Sequence, residues 1–392
     1  MSGFYVKAEY PQVITGDTWV RNSDWINLPE INAGDKQMYG IFAVYEGRDT
    51  SNYLGINLVG SSTSTIYWGD GTSQVATSNT QYEKQYVYSA TTGNVSVDSL
   101  DRNYKQVLVN IVFSGNVTGI YLDRGTIRGK VINWLDVIVD CSTATILRTS
   151  NIRKAVYMER YRVLQNSVQN MGSTDQQMTS LRIFDHDLSA ATSLASAFIY
   201  IGNPIKSNSS FLSINSDSCS SLASAYQYST IKNFGDVNSI LSSNILSTFG
   251  YCVNLETVGD INLPVCTSMS SAFLWCASLE SVGTINTPSV TTLTNTFLGC
   301  GKLKSVIFTE CSGVTTTTSA FGNCYGLSEL IMPNLTVGVN ISACSMRSAE
   351  LDTFFTSAGT ASGSQTITIT NNPGAATCNT SIATGKGFTV VG

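Results

Sequence analysis

The sequence predicts a β-rich α+β protein in which a small N-terminal β-sandwich precedes a solenoid of 24-residue coils closed by a C-terminal cap. Three observations lead there. Apolar columns recur at a fixed interval through the second half of the chain. Alternating runs around a Trp-Gly-Asp-Gly turn occupy the first third. Asp, Glu, Lys and Arg make up only 12% of the residues, about half the usual share, with Ser, Thr and Asn in their place. Hydroxyls on outward strand positions suit a β surface, and 18 Tyr with 15 Phe argue against disorder.

Residues 1–40 carry Trp19, Trp25 and Pro29 in polar surroundings without strand alternation. They are read as an arm that either docks to a neighbouring subunit or packs back onto the body. Residues 41–115 are assigned to the sandwich. Ser64–Thr72 joins an alternating strand to a Gly-Asp-Gly turn, and Glu83–Tyr88, Asn94–Val97 and Lys105–Val112 read as further strands. Trp68 is expected to fill the core, Gly69 and Gly71 to supply unusual backbone angles, and Asp70 to accept bonds from turn amides. The turn has too few carboxylates for calcium, which wants about six or more oxygens.

The solenoid is assigned to residues 116–345, with clean repeats at 235–330. Phe249, Phe273, Phe297 and Phe321 lie 24 residues apart, and Cys252, Cys276, Cys300 and Cys324 keep the same interval. So do Leu255, Leu279, Leu303 and Leu327, followed by Val258, Val282, Val306 and Leu330. A Ser/Thr-rich stretch precedes each Phe, and Gly235, Gly259 and Gly283 mark a recurring turn. Degenerate copies, Ser193–Tyr200 and Ser221–Tyr228, match at a spacing of 28. A period of about 20–29 residues with Leu columns predicts one strand and one short helix or 3₁₀ turn per coil, the leucine-rich-repeat plan.

A single coil cannot bury its columns. Stacked coils set Phe on Phe and Leu on Leu, each worth roughly 1.5–3 kcal/mol when fully buried. The Cys column is expected to be a reduced, inward-facing ladder. Disulfides between neighbouring coils are the alternative at a rung spacing of about 4.8 Å. A metal stack would want close Cys pairs or accompanying His, and the columns have neither. Residues 346–392 read as a cap: a helix at 349–357 with Leu351, Phe354 and Phe355, a strand at Gln365–Thr370, a turn at Asn372-Pro-Gly374, and a helix at Ala376–Thr384.

The Phe-x-x-Cys-x-x-Leu columns, with their strand and Ser/Thr-rich turn, resemble the BspA-type leucine-rich repeat of bacterial surface proteins and of phage tail and structural proteins. The resemblance covers roughly residues 190–345, with decayed coils reaching back toward 120, and lacks the regular Asp-x-Ser strand ending of the bacterial version. Ser64–Thr72 resembles the strand and turn of PKD-type sandwich domains, and Leu351–Gly392 is similar to the closing segment of phage proteins that carry these repeats. These resemblances imply a non-enzymatic virion structural protein, either a tail fibre or baseplate attachment or a capsid decoration. It would be multicopy or homo-oligomeric, and in contact with other virion proteins and a host-surface glycan or protein. A bacterial or protist surface adhesin is the alternative, and a polysaccharide-degrading tailspike the third reading.

No catalytic residue, cofactor or metal is expected. His186 is the one histidine; Asp185-His186-Asp187 could gather a metal if 185 and 187 shared a strand face, but a solvated coil edge is the expected role. Glu256, Asp260, Glu280, Glu310 and Glu329 are scattered, whereas glycan cleavage needs two carboxylates across a groove. No phosphate loop, dinucleotide fingerprint or Gly-x-Ser-x-Gly elbow occurs. A formal charge of −5 and the lack of basic runs among aromatics argue against nucleic acid. The opening MSGFYVKAEYPQVITGD lacks an apolar core, and no run reaches the about 18 apolar residues of a membrane span, so synthesis and assembly in the cytoplasm are expected.

Overall fold

The computed structural model describes residues 21–98, 100–122, 133–148, 157–164, 178, 180–186, 189–202 and 212–392. The protein is β-rich with few helices, and its larger part is a β-solenoid of about 9 turns.

The N-terminal part is an antiparallel arrangement of β1 (Gln37–Tyr45), β2 (Tyr53–Tyr67), β3 (Ser73–Thr77), β4 (Gln81–Gln85), β5 (Ser96–Val97), β6 (Asn103–Val112) and β7 (Gly115–Tyr121). Strand β2 is long because it is shared. Its first part pairs with β4 and β7, its last with β3 and β6, and a register shift at Val59 and Gly60 lies within its pairing with β7. Phe42 packs edge-on against Trp134 at 5.7 Å and beside Tyr86 at 5.5 Å.

Of the expected arm, residues 1–20, Trp19 included, lie outside the described residues. From residue 21 the chain packs back. Trp25 is buried and its Nε1 donates to the Tyr104 hydroxyl at 3.0 Å. Arg21 Nε reaches the fully buried Asp136 at 3.2 Å, and Arg160 Nε donates to the same carboxylate at 2.8 Å. A buried carboxylate needs such compensation.

Asp136 lies in β8 (Trp134–Val139), the first strand of the coil stack, followed by β9 (Ile146–Arg148), β10 (Arg160–Val163) and β11 (Ile183–His186). Strands β8, β10 and β11 pair in parallel, while β8 also pairs antiparallel with β1, and β9 parallel with β7. The N-terminal sheet therefore runs directly into the solenoid. The expected boundaries at 40/41 and 115/116 fall inside β1 and between the first residues of β7, because the open edge of a coil stack has to be covered.

The stack continues through β12 (Leu212–Asn215), β13 (Asn233–Asn238), β14 (Thr257–Val258), β15 (Ile261–Asn262), β16 (Ser281–Val282), β17 (Ile285–Asn286), β18 (Ser305–Ile307) and β19 (Glu329–Ile331), parallel throughout. The Gly-Asp sequence expected as a turn is instead a kink within a strand. Gly235 and Asp236 lie inside β13, whereas Gly259 and Asp260 separate β14 from β15, which pair with the two halves of β13.

The expected helix or 3₁₀ turn per coil is also replaced. Among the described residues no helix of either kind lies between 189 and 340. Opposite the strands each coil runs through consecutive turns, with Ser196, Ser224, Ser247, Ser271, Asn295 and Ser319 at φ between 52° and 57°. A left-handed residue at this point interrupts any right-handed helix, and Ser and Asn tolerate it better than branched residues. Alternate amides in this arm bond three residues back within the coil, as Thr248 to Ile245, or to the next coil, as Phe249 to Ala272 at 2.8 Å.

The cap comprises β20 (Val339–Asn340), α1 (Ser348–Ser357), β21 (Gln365–Thr368), α2 (Ser381–Thr384) and β22 (Phe388–Val391). Leu351, Phe354 and Phe355 of α1 are buried, and α1 lies against β19. The expected helix at Ala376–Thr384 shortens to α2. Residues 373–377 form turns, with Cys378 N–H donating to Gly374 O, and the Asn379 side chain accepts from the Ser381 amide. Such short polar side chains compete with helical bonding.

The axis of the solenoid is an aromatic column. Phe198, Tyr226, Phe249, Phe273, Phe297 and Phe321 stack in turn, with centroids 5.1, 5.8, 5.3, 5.2 and 5.8 Å apart. Each pair adds about 0.5–1.5 kcal/mol to its burial. Phe273→Ala removes one fully buried ring and two such contacts, and is expected to cost about 3–5 kcal/mol by urea unfolding.

Candidate functional site

The residues singled out by the sequence fall into two places. Leu255, Leu279, Leu303 and Leu327 are fully buried beside the aromatic column, and Cys252, Cys276, Cys300 and Cys324 line up with them. Each of these thiols donates to the carbonyl of the preceding coil's ring residue: Cys252 to Tyr226, Cys276 to Phe249, Cys300 to Phe273 and Cys324 to Phe297, at 3.0–3.1 Å. None of the four is in a disulfide. Burial pushes the Cys252 and Cys300 thiols up to about 12 and Cys276 and Cys324 well above their usual range. The ladder is therefore unreactive packing. In a thiol titration with DTNB at neutral pH, half-buried Cys378 is expected to react in the native protein, and the nine buried cysteines only after unfolding.

The second place is the N-terminal turn. Trp68 is 3% exposed, while Gly69 and Gly71 adopt φ of 79° and 85°. A Cβ at Gly69 would meet the Leu108 carbonyl at 2.4 Å, so glycine is needed there for space as well as angle. Asp70 accepts from the Thr72 amide and hydroxyl at 3.0 and 2.6 Å and pairs with Lys84 at 2.6 Å. Partial burial pushes this carboxyl up, but the bonds from Lys84 and Thr72 outweigh it and hold it below its usual value. A cleft of about 390 Å³ opens beside the turn, bordered by Lys84, Tyr86 and Gln106. Because the folded state favours the charged carboxylate, its contribution is full above the ordinary aspartate range and is lost as pH falls through the lowered value. Wild type is expected to exceed Asp70→Asn in stability near about pH 7, with the gap closing toward about pH 3 in urea titrations.

The scattered carboxylates are bound along the stack rather than gathered. Glu256 pairs with Lys232 at 3.5 Å, Glu280 with Lys304 at 2.6 Å, and Glu329 accepts from Ser305 at 2.8 Å. Asp260 accepts from the Thr284 amide and Glu310 from Asn334, again between successive coils. Asp185 and His186 lie in β11 by backbone, but their side chains and all of Asp187 are outside the described residues. Among the described residues no group of three or more His, Cys, Asp or Glu is placed to hold a metal ion, and no helix is long and apolar enough to cross a membrane.

The surface feature that sequence reasoning missed stands two residues after the aromatic column. Tyr200, Tyr228 and Tyr251 stack on one another at 5.0 and 4.9 Å with planes within 12°. Trp275 holds the equivalent position one coil on, its indole against Gly299, where a Cβ would meet the ring at 2.6 Å. Tyr200, Tyr228 and Trp275 are 37%, 40% and 44% exposed. All four aromatics are left-handed, at φ between 57° and 62°, a conformation costing about 1–3 kcal/mol for a bulky residue. Amide bonds to the next coil, such as Trp275 to Leu298 at 2.7 Å, hold them there. The result is an outward rail in which the ring faces of Tyr200, Tyr228 and Tyr251 cover one another, with Trp275 at the equivalent position of the next coil.

The signal was present as a second column, Phe198-Ile-Tyr200, Tyr226-Gln-Tyr228, Phe249-Gly-Tyr251 and Phe273-Leu-Trp275. It ends at Gly299 and Asn323, so it reads as noise unless the whole array is aligned. A column of hydroxyls follows the same coil-to-coil logic. Thr267, Thr291 and Thr315 donate to carbonyls of Ser243, Thr267 and Thr291 one coil back, at 3.0–3.2 Å. No protein-family model and no curated protein matches the chain.

Proposed function

We propose that this chain is a non-enzymatic structural component of a phage particle, a tail fibre or baseplate attachment or a capsid decoration, whose coils present a rigid face to a host-surface glycan or protein. The observation that carries the reading is the preformed aromatic rail of Tyr200, Tyr228, Tyr251 and Trp275 on a weakly charged, hydroxyl-rich surface. Rigid amphipathic aromatics make contact area at low entropic cost, and neighbouring Ser and Thr supply adaptable hydrogen bonds. Many copies in one particle would turn weak contacts into avidity.

In this reading the coils are of the BspA leucine-rich-repeat kind, the N-terminal part is a PKD-like β-sandwich that anchors or spaces the solenoid, and the similarity of Leu351–Gly392 to the closing segment of phage proteins favours a particle over a cell surface. Mass spectrometry of purified particles tests it. Peptides of this chain at a symmetric copy number are the expected outcome. Their absence from particles, with peptides instead shaved from intact cells, would make the chain a cell-surface adhesin.

A further inference from the structure

The two outward positions that follow each core ring are filled differently along the stack. Two residues after the ring stand Tyr251, Trp275, Gly299 and Asn323, and four residues after it Val253, Ala277, Gly301 and Tyr325. Of these four coils only that of Phe297 carries glycine at both. The backbone does not demand glycine at 301, which is not left-handed. A Cβ there would stand 3.7 Å from the Asn323 carbonyl and 3.8 Å from Tyr325 Cδ2, ordinary contact distances, and the equivalent positions hold Val, Ala and Tyr.

Aromatic rings from the coils on either side border this bare coil. The Trp275 indole rests on Gly299 from one side, and Tyr325 flanks Gly301 from the other. They are 44% and 59% exposed, and both are anchored: the Trp275 amide donates to Leu298 at 2.7 Å, and the Tyr325 hydroxyl donates to the Asn323 side chain at 2.9 Å. Three groups here make no hydrogen bond or ion pair with any described residue, and all three are donors: the Trp275 indole N–H, the Gly301 amide and the ammonium of exposed Lys302. The carboxylates of the neighbouring coils, Glu280 and Glu329, are bonded to Lys304 and Ser305, which leaves the Lys302 charge without an ion pair.

We propose that Gly299–Gly301, flanked by Trp275 and Tyr325, is a subsite for one hexuronate ring of an acidic glycan. A pyranose presents an apolar C–H side that suits an aromatic platform, while its polar rim meets donors that fix its orientation. A ring carboxylate supplies the acceptor that three unpartnered donors call for, and a bond to Lys302 is charge-assisted. The bare floor matters because a side chain at 301 would occupy the space of the sugar. An aromatic side chain of a protein partner would use the platform but leave Lys302 and the Gly301 amide unanswered. The inference deepens the host-contact reading and rests on its glycan branch, adding Gly301, Lys302 and Tyr325 to the end of the rail at Trp275.

The test is isothermal titration calorimetry of the whole chain at about 20 mM salt, where surface charges are weakly screened. The probes are trigalacturonate and a hyaluronan tetrasaccharide, each as the free acid and as its neutral methyl ester. Saturation by at least one acid with a Kd of about 1 mM or below is expected, with its ester about threefold weaker. Gly301→Gln, which fills the floor while keeping both rings, is expected to weaken binding about tenfold or more. Lys302→Gln is expected to weaken the acid about threefold and to abolish its salt dependence. Both variants are expected to keep the wild-type unfolding midpoint. No saturation by either acid up to about 10 mM, an ester that binds as tightly as its acid, or wild-type binding by Gly301→Gln would overturn the proposal. Failure here with the chain present in purified particles leaves the particle reading intact, whereas binding by a chain absent from particles sinks that reading and keeps the subsite.

Discussion

Everything in the solenoid depends on the amide bond from one coil to the next. It sets the rung at the spacing of paired strands, about 4.8 Å, so a residue has its equivalent one coil away as its nearest neighbour. Self-complementary side chains are the ones that fit such a column. Phe on Phe, Leu on Leu and Cys beside Cys satisfy that demand, and the thiol ladder adds a bond from each Sγ to the carbonyl one coil back. The turns opposite the strands exist for the same reason, because only an arm with left-handed residues at intervals aims alternate amides along the stack.

The same geometry accounts for the composition. A column of like charges at rung spacing repels itself, so long ionic columns are excluded and hydroxyls or amides replace them. Asn286 donates to Asn262 at 2.7 Å, and Thr291 to Thr267 O at 3.0 Å. Among the charges that remain, Lys232 pairs with Glu256 and Lys304 with Glu280, each one coil away. These pairs are solvent-exposed and contribute little to stability. Their role is to let a charge stand in a column at all.

A stack of parallel rungs has two open ends, and the molecule treats them differently. At the first, β1 and β7 pair directly with β8 and β9, and the buried Asp136 ties the lead-in segment to two successive strands through Arg21 and Arg160. At the other, α1 lies against β19, and β20 pairs with β21 in the cap. The cap thus protects the apolar core of the last clean coil, where Ala320, Phe321 and Cys324 are buried and Ser345 bonds back to Tyr325 and Leu327.

By itself the sequence determined the period, the buried columns and the existence of a cap, because in a one-dimensional stack those follow from repetition of side-chain types at fixed intervals. Phe249 to Phe321 and Leu255 to Leu327 are legible without any structure. The turn of Trp68 to Gly71 is legible too, since its glycines and single Asp have few other uses. Only the tertiary structure decided that the arms are turns rather than helices, that β8 adds to β1, and that Tyr200, Tyr228, Tyr251 and Trp275 form an outward rail. Each of these rests on hydrogen-bond partners more than about 20 residues away, which select a left-handed conformation or a strand pairing that local propensity alone does not favour.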